Sequence, residues 1–130
     1  AVSSLGLTGE VLFPGFVPPA ELPDWYRGAE AFVYPSMFEG FGLPVLEAMA
    51  CGTPVICSQA ASLREVAGTA ALTLPAADEG AWANAMHLLC DQPVMADELR
   101  LRGLEQAAKF SWQQSAQKTI QVYNEMALFV

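Results

Sequence analysis

The stretch Pro35-Ser36-Met37-Phe38-Glu39-Gly40-Phe41-Gly42-Leu43-Pro44-Val45-Leu46-Glu47-Ala48-Met49-Ala50-Cys51-Gly52-Thr53-Pro54 decides the fold. An apolar run, Ala31 to Tyr34, leads into it, and a second, Val55 to Cys57, follows it. Short apolar runs of this kind suit strands of a sheet covered on both faces. Between them, Pro44 fits the first helical position, where a missing N–H costs nothing. Gly52 fits the residue just beyond the helix end. The stretch therefore reads strand, glycine loop, short helix, strand. Two strands joined through a helix are parallel.

The loop also carries chemistry. Gly40 and Gly42 place no Cβ in the way of a ligand. The first turn of a helix has N–H groups without intrahelical partners, and these suit an anion. Gly42, Leu43 and Val45 are expected to supply them. Glu39 and Glu47 flank the loop. Ionised carboxylates only accept hydrogen bonds, and the diol of a ribose supplies two donors. Ligands of open α/β sheets bind beyond the carboxyl ends of the strands, where this loop falls.

Outward from this stretch the same alternation continues. Val11 to Phe13 reads as an earlier strand, closed by Pro14-Gly15. A helix is expected from Pro19 to about Gly28, with Leu22, Trp25 and Tyr26 buried. Ser62 suits the cap of a helix over Leu63 to Val66, and Ala70 to Leu74 reads as a further strand. The remainder is helical. Trp82, Ala85, Met86 and Leu89 follow a 3.6-residue period, as do Leu99, Leu104, Ala107 and Ala108. Ser111 is expected to cap the last helix, with Ile120, Tyr123 and Met126 on one face. The fold class is α/β, a Rossmann-like parallel sheet with flanking helices, in one domain over residues 1–130.

Composition narrows the function. The 130 residues are 53% hydrophobic, enough for a packed core. No apolar run reaches the roughly 20 residues of a membrane span, and no signal-peptide pattern opens the chain. These points lead to an expected cytoplasmic location. Six Lys and Arg against 14 Asp and Glu give a net charge of −8. The basic residues Arg27, Arg64, Arg100, Arg102, Lys109 and Lys118 are scattered, which argues against nucleic acid as a partner. Cys51, Cys57 and Cys90 form no C-x-x-C and read as reduced, buried thiols.

Residues 38–55 resemble the donor-site signature of retaining GT-B glycosyltransferases. They are most similar to the large family four, which holds mannosyl-, glucosyl- and galactosyltransferases and sucrose synthase. Val11 to Val17, Leu63 to Gly68 and Phe110-Ser111-Trp112 resemble flanking segments of that family. The resemblance implies the C-terminal, donor-binding half of a GT-B fold, truncated at its N-terminus and without its acceptor domain. It implies a nucleotide-sugar donor such as a GDP-, UDP- or ADP-sugar. The acceptor, a sugar or lipid-linked glycan, would be bound by the missing half. Glu39 matches the first acid, placed at the donor sugar, and is the catalytic residue that the resemblance implies. Gly40, Phe41, Gly42 and Leu43 match the donor-binding loop, and Glu47 matches the acid that binds ribose. Glu65 matches a commonly acidic position. No metal or other cofactor is implied. The family's basic pair for the diphosphate lies upstream of the matched residues, and neither Arg27 nor Arg64 replaces it.

Other readings stay open at this level. A non-catalytic nucleotide-sugar module, or a GT-B epimerase or phosphorylase, would share the loop. A response-regulator-like domain would need an acidic pocket after its early strands, which the chain lacks. His87, alone on a helix, reads as a partly exposed structural residue. Trp25, Trp82 and Trp112 read as packing anchors, and Met86, Met95 and Met126 as gap fillers. Phe38 and Phe41 suit either a sugar pocket or a core plug.

Overall fold

The computed structural model describes residues 1–127. Its elements in chain order are α1 (Leu22–Gly28), β1 (Phe32–Tyr34), α2 (Leu43–Ala50), β2 (Val55–Ser58), α3 (Ala61–Ala67), β3 (Ala71–Leu74), α4 (Glu79–Asp91), α5 (Pro93–Ala107) and α6 (Trp112–Ala127). The strands form one parallel sheet in the order β1-β2-β3. Phe32 stands opposite Val55, and Val55 opposite Ala71.

Successive residues of a strand point to opposite faces, and β2 shows the consequence. Val55 and Cys57 enter the core beneath α2 and α3, with Val45, Met49, Leu63 and Val66. Ile56 enters the core beneath α4 and α5, with Trp82, Leu89 and Leu99. All four residues of β2 are buried, which explains a run without polar alternation. The structure is thus three layers, helix on sheet on helix. The α5 helix also reaches α2, where Gly103 lies against Met49.

The helix after the glycine loop stops as its sequence demands. Gly52 has φ 74°. Its N–H bonds the Met49 carbonyl at 3.0 Å, and the Thr53 N–H bonds the Ala48 carbonyl at 3.0 Å. This is the paired closure that a left-handed residue permits, and it satisfies two carbonyls left over at the helix end. Thr53 is then buried, and its hydroxyl donates to the Tyr26 carbonyl at 2.7 Å. That bond ties the end of α2 to α1. Ser111 caps α6 as expected, its Oγ accepting from the Gln114 N–H at 3.1 Å.

Several expectations fail. Val11 to Phe13 is not a strand: Leu12 and Phe13 are each 80% exposed. A strand needs a neighbour for its backbone groups. Among the described residues β1 pairs only with β2, so nothing receives the run. The Val11 N–H instead bonds the Leu7 carbonyl. The first helix starts at Leu22 rather than Pro19, and Trp25 is half exposed because α1 covers the molecule with its Tyr26 side. Ser62 lies inside α3, whose N-cap is Ala60. Met86 and Leu104 turn outward, the contact surface of α4 and α5 being narrower than their apolar period suggests. Of the three tryptophans only Trp82 is buried. His87 is exposed, as expected.

The thiols also differ from one another. All three are free, with Cys57 buried, Cys51 half-buried and Cys90 exposed. Burial pushes the Cys57 thiol up to about 11. Thiolate is the reactive form. At neutral pH an alkylating agent is therefore expected to label Cys90 first and to spare Cys57 until the chain unfolds. Peptide mass spectrometry of partly labelled protein checks this; early labelling of Cys57 would contradict the fold.

Candidate functional site

The loop from Pro35 to Gly42 leaves the carboxyl end of β1 and enters α2. Two serines from other elements pin it. Ser58, the last residue of β2, donates its hydroxyl to the Ser36 carbonyl, and Ser62 of α3 donates to the Glu39 carbonyl at 2.8 Å. Ser62 therefore holds the loop rather than capping its own helix. The sequence offered a signal for this only in retrospect: a hydroxyl in the first turn of a helix that it does not cap.

Gly42 is the residue on which the loop turns. It has φ 106° and is buried, and a Cβ on it would run into the side chain of Leu63. Gly40 is different. It is exposed, and a Cβ there would meet nothing within 4 Å. The fold needs glycine at 42 and leaves open space beside 40.

Backbone donors concentrate here. Among the described residues the N–H groups of Gly40, Phe41, Gly42 and Leu43 find no partner in the chain. The expectation for Val45 is corrected: its N–H closes the turn onto the Gly42 carbonyl at 3.0 Å. Pro44 has no N–H to offer. The donor set is therefore the loop itself plus the first residue of α2, with the helix dipole behind it.

Each acid is held by a tyrosine. Tyr34, the last residue of β1, donates its hydroxyl to Glu39 Oε1 at 2.6 Å. Tyr26 of α1 donates to Glu47 Oε2 at 3.1 Å. The Tyr34 hydroxyl, with Ser36 beside it, holds the Glu39 carboxyl below its usual range. The same bond, followed by burial, raises the Tyr34 phenol. For Tyr26, burial is the first cause and the Glu47 bond the second, and both push its phenol far up. The lowered Glu39 value gives a contact that stabilises the fold above the ordinary carboxylate pKa and is lost as pH falls through the lowered one.

The two tyrosines meet across one ring. Tyr26 stands edge-on to Phe32, with centroids 5.3 Å apart, and Tyr34 stacks on Phe32 at 5.6 Å. Phe32 and Tyr34 are two residues apart on one strand face, so their contact follows from the pleat. The acids are thus linked through a column of three aromatic rings.

A cleft of about 580 Å³ opens between α2 and the start of α6. That volume falls in the range of small-molecule sites. It brings together Phe41, Leu43 and Glu47 with Glu65, Trp112, Lys109 and Lys118. Phe41 stands edge-on to Phe110 at 6.0 Å, closing one end. Glu39, Gly40 and Gly42 are not among its walls. Phe38 projects into solvent, 88% exposed. The lysines were missed from sequence because the α5–α6 connection, which holds Lys109, and α6, which holds Lys118, bring them to the cleft from far along the chain. Arg27 instead pairs with Asp24 at 3.2 Å on α1. Among the described residues no three His, Cys, Asp or Glu side chains converge as metal ligands. No helix there is long and apolar enough to cross a membrane.

Comparison with known proteins decides the family. Residues 1–92 match the family model described as glycosyl transferases group 1. The chain belongs to this family. The O-antigen chain mannosyltransferase B of Escherichia coli is 45% identical over 88% of the chain, which spans 30% of that protein. A D-inositol 3-phosphate glycosyltransferase of Catenulispora acidiphila is 35% identical over 93% of the chain and is spanned to 29%. Among solved structures, sucrose-phosphate synthase from Thermosynechococcus elongatus superposes with a TM-score of 0.90 over 99% of the chain, at 33% identity. The chain covers 33% of that structure. This group 1 glycosyl transferase chain therefore spans about a third of the relatives it matches, and its Rossmann-like GT-B architecture stands.

Proposed function

We propose that this chain binds the donor, a nucleoside diphosphate hexose, in a glycosyl transfer that retains configuration at the sugar. The observation that carries the reading is the run of unpartnered amides from Gly40 to Leu43, set between two carboxylates. In this reading Glu39 accepts from the sugar hydroxyls. The amides take the charge of the diphosphate, a stabilisation that grows as the leaving group separates. Glu47 accepts from the ribose diol. The acceptor, a sugar or lipid-linked glycan, is bound by residues outside this chain.

The reading gives no metal a role. Loop amides, the α2 dipole and basic side chains share the leaving-group charge. It places the reaction in the cytoplasm, which the three free thiols support. The nucleotide is a GDP, UDP or ADP carrier. The name of the Escherichia coli relative makes a mannosyl donor the first to try.

The test is calorimetric titration of the whole protein with GDP-mannose, UDP-glucose and ADP-glucose, with and without EDTA. Backbone resonances of Gly40 to Leu43 are followed in parallel. At least one donor is expected to bind with or without chelator and to move those amides. The absence of both heat and amide shifts with all donors would overturn the reading.

A further inference from the structure

We infer that Tyr34 is a positioning residue that fixes the direction of the Glu39 carboxylate, one end of an aromatic column whose other end, Tyr26, fixes the direction of Glu47. The inference rests on the donor reading above for its purpose and on geometry for its substance.

The geometry is unusually one-sided. Tyr34 Oη lies 2.6 Å from Glu39 Oε1, the length of a hydrogen bond from hydroxyl to carboxylate. A phenol at neutral pH donates, and a carboxylate accepts. The bond is strongest while Glu39 is ionised, because a protonated carboxyl accepts more weakly through its carbonyl oxygen. It occupies Oε1, with Ser36 beside the same carboxyl, and leaves acceptor positions to spare. A glutamate has three side-chain torsions, and in an exposed loop it samples many directions. Anchoring Oε1 on the end of a strand removes most of them before any ligand arrives. Preorganisation of this kind improves binding by lowering the ordering cost.

The anchor is itself held. The Tyr34 ring stacks on Phe32, and Phe32 meets the edge of Tyr26. Phe32 sits in the β1–β2 ladder opposite Val55. The Tyr26 backbone is fixed in turn by the buried Thr53 hydroxyl. The separation of the two acids is thus set by a rigid strand and three rings, not by the loop between them. The Tyr34 bond adds a side-chain tether to the two serines that pin the loop backbone. It also assigns Glu39 an acceptor's role: a group kept ionised by its neighbour receives hydrogen bonds from sugar hydroxyls and does not serve as the acid that protonates a leaving group.

The decisive experiment is Tyr34→Phe in the whole protein, which deletes the hydroxyl and keeps the ring. With glutamate labelled at the carboxyl carbon, Glu39 is assigned by its disappearance in Glu39→Gln and titrated by NMR. Its midpoint is expected to rise toward the ordinary carboxylate range in Tyr34→Phe. Affinity for a nucleoside diphosphate hexose is expected to fall about 3- to 10-fold, the worth of one hydrogen bond, while affinity for the nucleoside diphosphate alone stays put. Tyr26→Phe, acting through Glu47, is expected to weaken both ligands. An unmoved Glu39 titration in Tyr34→Phe, or equal weakening of both ligands, would overturn the inference. Glu39→Gln separates the two layers of argument. If it leaves hexose-donor binding unchanged while the titration has shifted, the positioning stands and the sugar-contact reading of Glu39 falls.

Discussion

Glu47→Ala is expected to lower the affinity of the whole protein for a nucleoside diphosphate hexose by about 2–4 kcal/mol, roughly 30- to 700-fold. The residue lies one turn into α2 and lines the cleft beside Phe41 and Leu43. One of its oxygens already accepts from Tyr26, so the side chain is aimed before a ligand arrives. Two ribose hydroxyls would find the remaining acceptor positions, and hydrogen bonds to a charged group are worth about 1.5–3 kcal/mol each. Alanine also leaves the Tyr26 hydroxyl without its partner. That bond lies at an exposed position, where water can take the place of the acid. The ribose makes the prediction specific: a 2′-deoxyribose nucleoside diphosphate should lose affinity against the wild type and lose little more against the mutant. Calorimetry with the ribose and deoxyribose forms forms a cycle that isolates the contact. Equal affinities in wild type and Glu47→Ala would remove Glu47 from the ribose.

The residues from Pro35 to Pro54 made the strand–loop–helix–strand unit legible because each boundary carries its own local chemistry. Pro44 and Gly52 are start and stop signals that work without tertiary help, and Pro44 stands one place further into α2 than its usual first position. The same holds for Ser111. What the sequence hid is what depends on partners far along the chain. Val11 to Phe13 has the composition of a strand, but composition supplies no hydrogen-bonding neighbour. Trp25 and Met86 sit on apolar periods, yet each helix buries only the stripe that meets another element. The site shows the same division. Glu39 and Glu47 stood out as acids flanking glycines. Tyr26 and Tyr34, which hold them, looked like core aromatics, and their hydroxyls acquire meaning only once α1, β1 and α2 are side by side. Ser58 was silent, and Ser62 passed for a helix cap, for the same reason.

Gly42→Ala is expected to destabilise the protein by about 2–6 kcal/mol, and it carries the largest structural cost of any single methyl in the loop. Two costs add. Backbone at φ 106° is foreign to residues with a Cβ, and holding one there takes about 1–3 kcal/mol. The new methyl also meets Leu63. Leu63 is fully buried among Val45, Val66 and their neighbours, so its displaced Cδ2 must shift within the packed core. Overpacking of that sort costs about 1–3 kcal/mol. Against a total stability of roughly 5–15 kcal/mol the sum is severe. Urea denaturation measures it, with Gly40→Ala as the control. A Cβ at residue 40 meets nothing, so that variant should stay within about 0.5 kcal/mol of the parent. Donor binding then divides the loop by cause. Gly42→Ala loses affinity because the loop and the head of α2 are displaced. Gly40→Ala, folded as before, loses affinity only if a ligand occupies the space its methyl fills. Leu63→Val in the Gly42→Ala background separates the two costs, since shortening the side chain relieves the clash and leaves the backbone strain. A Gly42→Ala protein as stable as the parent would mean that the loop enters α2 by a different path, and with it the arrangement of amides between Glu39 and Glu47 would have to be redrawn.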